Sequence, residues 1–215
     1  MRRAPPDTPG AIQARLVLTL AAGWRESARR GVIPIRCEID YSGQSRPIDT
    51  IPRDTTFTFT RAEEAILFVL EDIAEGPIQN VLRVKPRDFI NILELHTSLP
   101  LRQEETPHAV TVHASLLTSF LKVTLEQETG DLVVSIHTER PLGASDSRSL
   151  ALFAGRAGWL LDSEHFWSLE QILPEPLRTV YDQPIRIPRA TAMVFVRDEL
   201  PALGRFMRIE TDVTA

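Results

Sequence analysis

The stretch GWLLDSEHFWSLEQILPEPL, residues 158–177, holds the side chains best able to do chemistry. Asp162, Glu164 and His165 fall within four positions. Such a set can act as general acid and base when a distant nucleophile converges on it, as in a hydrolase. The same residues also read as architecture. Trp159, Leu160 and Leu161 complete a strand, Asp162-Ser163-Glu164 is turn material, and Phe166, Leu169 and Ile172 or Leu173 give one face of a short helix over 166–173. Pro174 and Pro176 break that helix. The local pattern favours architecture, with Trp159 and Trp167 as packing anchors.

The five histidines are His96, His108, His113, His137 and His165, and no two are spaced H-x-x-x-H. His108 and His113 flank a strand start and could meet across a turn, but solvent-facing histidines fit the pattern better than a metal pair. His137 reads as a half-buried structural histidine. The single cysteine, Cys37, supplies no thiolate cluster and no intrachain disulfide. No G-x-x-x-x-G-K-[ST] loop, no G-x-G-x-x-G turn and no G-x-S-x-G elbow occurs. The expectation is a chain that holds no cofactor and no metal and is not itself an enzyme.

Arginine is the other candidate chemistry. Of the 24 cationic residues only Lys85 and Lys122 are lysines, a bias that genome composition explains as readily as function. Arg186, Arg189, Arg197, Arg205 and Arg208 crowd the last third and are the candidate contacts to a nucleic-acid backbone. They are interleaved with Asp198, Glu199 and Glu210, so a salt-bridged surface is the competing reading. A net charge of −5 argues against a protein that coats nucleic acid non-specifically. Trp167 and Phe195 are large apolar candidates for a docking face.

The elements that would position these residues alternate in type. Residues 1–10 are proline-rich and read as a flexible N-terminus. Ile12, Leu16, Leu20 and Trp24 recur every four positions up to Gly31, which predicts a helix over 11–30. Alternation over 33–41 predicts a strand that turns at Ser42-Gly43 into 45–48. Thr60 and Glu63 form a capping box for a helix whose inner face is Ile66, Val69, Leu70 and Ile73, ended by Gly76-Pro77. An extended piece over 81–84 leads to a helix from Pro86 with Phe89, Ile92 and Leu93 inside.

Residues 120–126 and 132–137 form a hairpin about Thr129-Gly130-Asp131. After a small-residue loop over 141–149, short strands follow at 150–153 and 158–161. An extended piece covers 185–187, a helix 190–199 and a last strand 206–213. The class is α+β, with short antiparallel hairpins and strands and several packed helices. The division is into 11–105 and a strand-rich 106–215, with a soft boundary near 100–115.

Spacing also carries a resemblance. The segment GWLLDSEHFWSL, followed by ILPEPLRTVYDQPIRIPRATAMVFVRDELPAL, resembles the accessory region that precedes the motor of bacterial SWI/SNF-type helicases, DNA-dependent ATPases of superfamily two. Upstream, PIRCEIDYSGQSRPI resembles that region's early hairpin and FTRAEEAILFVL its R-x-x-E helix, so the likeness spans about residues 30–210. It implies a non-catalytic module that assists DNA engagement or regulates a motor, with a helicase motor and duplex DNA as partners. The motor's phosphate loop, acidic box and arginine finger are not in these residues, so no ATPase residue carries over. The alternative is a stand-alone protein-binding or scaffold subunit without nucleic-acid contact. With no membrane-length apolar run, the chain reads as a soluble cytoplasmic protein of bacterial type.

Overall fold

The computed structural model describes residues 1–5, 8–95, 101–139, 150–161 and 164–212, and for Pro107 and His108 the backbone alone. The chain is α+β and divides into two compact units, Met1–Ala114 and Ser115–Ala215. The expected loop over 141–149 and His96 lie outside the described residues.

The first unit is built on β3 (Arg15–Leu20) and β4 (Ile33–Tyr41), which pair antiparallel with Leu18 opposite Cys37. Here the helix expected over 11–30 is corrected. Leu16, Val17, Leu18 and Leu20 are all buried, so the run is a strand covered on both faces rather than one helical stripe. The four-residue rhythm arose because a dense apolar run satisfies several periods at once. Only Trp24–Arg29 is helical (α1), entered through Gly23 at φ 68°.

The β4 alternation is present as expected: Ile33, Ile35, Cys37 and Ile39 are fully buried. Ser42 and Gly43 both take positive φ, the geometry that fits the twist of a two-residue hairpin, and β5 (Gln44–Pro47) returns antiparallel. Cys37 faces this core, and burial, aided by the charge of Glu38, pushes its thiol up to about 12. A small three-stranded parallel sheet combines β1 (Arg2–Arg3), β2 (Ile12–Gln13) and β6 (Thr56–Thr58).

Helix α2 (Arg61–Ala74) packs on α3 (Pro86–Leu95). Ile66, Leu67 and Leu70 are the buried face of α2, with Val69 and Ile73 half-buried. Its capping box is complete. Thr60 Oγ1 accepts from Glu63 N at 3.3 Å, and Glu63 Oε2 accepts from Thr60 N at 2.8 Å. Glu63 is itself buried and accepts Leu16 N at 3.0 Å through its other oxygen. One carboxylate thus ties β3 to the start of α2. Strand β7 (Val81–Val84) lies antiparallel on the first half of β4, β8 (Leu101–Gln103) runs parallel to β3, and β9 (Thr106–Leu117) pairs with β8.

In the second unit β10 (Ser119–Leu125) and β11 (Leu132–Thr138) form the expected hairpin, flanked by β15 (Ile185–Ile187) and by β16 (Arg208–Thr211), which is parallel to β10. Parallel pairs therefore join the antiparallel ones. Strands β12 (Leu150–Ala154), β13 (Ala157–Leu161) and β14 (His165–Leu169) form a meander.

Strand β14 corrects the helix expected over 166–173. Phe166 and Trp167 are adjacent and both buried, which a two-sided strand allows and a single helical stripe does not. Leu160 stands opposite Trp167. Gly158 is required by contact: a Cβ there would lie 2.6 Å from Ile172 Cγ2. After a 3-10 turn (Glu175–Tyr181) and β15, a helical segment runs through α4 (Arg189–Val194), a π turn (Phe195–Glu199) and α5 (Leu200–Leu203). No helix among the described residues is long and apolar enough to cross a membrane.

Candidate interaction surface

The residues singled out for acid–base chemistry do not form a described set. Asp162 and Ser163 lie outside the described residues. Glu164 is exposed, and His165 opens β14 with its ring tilted toward Trp167 at 6.1 Å. His113 is half-buried on β9, and His108 belongs to the same strand rather than the far side of a turn. His137 is exposed rather than half-buried, stacked on Phe120 at 5.8 Å with a ring nitrogen 3.1 Å from Ser135 Oγ. Among the described residues no group of three or more His, Cys, Asp or Glu could hold a metal ion.

The five candidate arginines separate into two sets. Arg186 donates to Glu126 Oε2 at 2.7 Å. Arg197 grips Asp198 with two hydrogen bonds, 2.6 and 2.7 Å, which holds the Asp198 carboxyl below its ordinary value and raises the guanidinium. Arg208 reaches Glu139 at 3.1 Å and Glu210 at 3.3 Å, and lies over the Phe120 ring. These three charges are matched locally. Arg189 and Arg205 make no ion pair among the described residues. The arginine cluster is therefore a salt-bridged surface in which, among the described residues, the arginine at each end of the helical segment makes no ion pair.

Trp167 and Phe195 are corrected from docking face to core. Both are buried with Leu121, Val134, Leu160 and Leu203 in the hydrophobic centre of the second unit. Exposed apolar residues instead flank Phe195 in sequence and recur at Phe206. Met193 is 78% exposed, Val194 50%, Val196 39% and Phe206 48%. In a helix the run Ala192–Val196 is apolar all round, so burying Phe195 on one side turns Met193 and Val196 outward on the other. That run was the available signal in the sequence, and residue size pointed instead to the aromatics.

The π turn marks the same place. Pro201 has no N–H and its ring crowds the carbonyl four residues back, that of Arg197. The segment widens ahead of it, with Leu200 N bonding to Phe195 O. Such wide turns recur at functional sites. The start of α4 is anchored from the β10–β11 turn, where Asp131 Oδ1 accepts Arg189 N at 2.9 Å.

The first unit has a groove of about 1020 Å³ lined by Arg15, Asp40, Tyr41, Arg61 and Glu63 among others. Arg15 faces Asp40 across β3 and β4, and Glu63 is already held by three donors. Its lining carries two arginines and two acids, so its formal charge is balanced.

No protein-family model, curated protein or solved structure matches this chain.

Proposed function

We propose that this chain is a non-catalytic accessory module that docks on a protein partner through residues 189–206. The partner the resemblance implies is the motor of a bacterial SWI/SNF-type DNA translocase, which the module would assist or regulate. The observation that carries the docking reading is the uncovered apolar run Met193, Val194 and Val196, with Phe206 beyond it, on a segment whose opposite side is locked into the core by Phe195 and Leu203. An exposed group of apolar residues of this kind is a usual mark of a protein interface. The sequence RATAMVFVRDELPAL, which covers this segment, also bears part of the family likeness.

Contact with duplex DNA through all five arginines has less support. Arg186, Arg197 and Arg208 would have to leave their carboxylates before meeting phosphate. The alternative of a scaffold subunit without nucleic-acid contact uses the same docking face and differs only in the partner.

The test is calorimetric titration of the purified chain into the SWI/SNF-type motor encoded in the same genome, followed by the motor's ATPase rate with and without the chain. The expected outcome is micromolar or tighter binding with a changed ATPase rate. Absence of binding would remove the motor as partner. In a parallel titration of labelled duplex, affinity that falls steeply with salt would reinstate the arginines as phosphate contacts.

A further inference from the structure

This inference rests on the docking reading above and concerns the chemistry of what docks. Arg189, Met193 and Val196 fall at i, i+4 and i+7 along one exposed stripe of the helical segment. The stripe is therefore cationic at its start and apolar along its middle. Arg205 adds a second unmatched guanidinium after α5, beside exposed Phe206.

Arg189 is placed by the fold rather than left to wander. Its backbone N–H is fixed on Asp131. Its aliphatic stem lies over Gly130, where an added Cβ would come within 2.9 Å of Arg189 Cδ. Gly130 also has φ +73°, so turn geometry and close approach both select glycine there.

Two acids of that turn are engaged, and the third, Glu128, is exposed. Glu126 Oε2 takes Arg186 and the Thr129 hydroxyl, each at 2.7 Å, and Asp131 takes the Arg189 backbone. Arg189 is exposed and makes no ion pair among the described residues, and a guanidinium so placed can take a carboxylate in bidentate fashion.

We infer that the partner presents an apolar stretch bracketed by carboxylates, and that Arg189 is the residue that selects for them. The apolar face supplies the contact area, while a charge at its rim governs which partner is accepted and how fast it associates. Nucleic acid fits less well, because phosphates would be set against Met193 and Val196.

The test uses two labelled helical peptides that share one leucine-based apolar face, one with glutamates at both ends and one with lysines. A labelled DNA duplex is the third probe, and binding is read as fluorescence anisotropy against the intact chain. The glutamate peptide is expected to bind and the lysine peptide not to. Arg189→Glu weakens the glutamate peptide about tenfold, and Arg189→Lys, which keeps the charge but not the bidentate geometry, weakens it by a smaller factor. Arg189 is exposed, so unchanged circular dichroism confirms that these variants fold.

Equal binding of the two peptides overturns the charge selection while leaving the docking face standing. Binding of neither peptide, with motor binding still sensitive to Val196→Asp, does the same. Duplex binding that is lost in Arg189→Glu replaces the acidic partner with nucleic acid.

Discussion

Helix α2 and the segment 189–203 are similar in length, and both leave apolar side chains on their outer surface, yet the chain treats those side chains differently. Phe68 on α2 is 60% exposed, but the Arg3 guanidinium lies 4.4 Å from its ring centre and bonds Glu71 at 2.6 Å. The helix also starts in a complete capping box built on a buried carboxylate. Segment 189–203 has no side-chain cap from its own preceding residue, is interrupted by a π turn, and leaves Met193 bare. An exposed apolar residue is thus not by itself an interface. What distinguishes the two helices is whether the chain supplies its own cover.

The contrast is open to direct attack, starting with the strongest perturbation. Phe195→Ala removes the anchor of the inner face and is expected to cost about 4 kcal/mol, read from urea denaturation of the second unit. Should it cost less than about 1 kcal/mol, the segment is only loosely seated and its outer face is not defined. Glu63→Ala deprives Leu16 N and the Thr60 hydroxyl and backbone N–H of their acceptor, at an expected cost of about 3 kcal/mol on the first unit. An unchanged urea midpoint would show that α2 does not depend on its buried carboxylate.

Arg3→Ala uncovers Phe68 and is expected to cost about 1 kcal/mol or less, since that ion pair and ring contact are partly exposed. It should also give α2 an apolar patch of the kind the other helix already has, visible as increased binding of a hydrophobic dye. Smallest in stability is Met193→Asp with Val196→Asp, expected within about 0.5 kcal/mol because both are surface positions outside the buried core.

Much of the first unit was legible in the sequence because its signals are local. The alternation in β4 survives because one face of that strand is covered by apolar neighbours, and Thr60-x-x-Glu63 is a short-range device. The misread places, 11–30 and 166–173, share one cause. Leu16-Val17-Leu18 and Phe166-Trp167 are buried on both faces of a strand, and a continuous apolar run does not reveal its own period. The exposed apolar residues of 193–196 were missed for a related reason. Size and aromaticity pointed to Trp167 and Phe195, whereas which side of 192–196 faces the core depends on the packing of Phe195 and on the widened turn before Pro201. The salt bridges that occupy Arg186 and Arg208 reach Glu126 and Glu139, residues distant in sequence, so composition showed a cluster of cations where the fold makes matched pairs.

The central claim, that residues 189–206 form a face built for another protein, is tested most directly by one titration. The motor is titrated against the native chain and against the Met193→Asp, Val196→Asp double variant, with urea midpoints measured alongside. The account predicts at least about tenfold weaker binding by the variant at an unchanged midpoint. Equal affinity for both proteins would contradict it, whereas no binding by the native chain would remove the motor as the proposed partner.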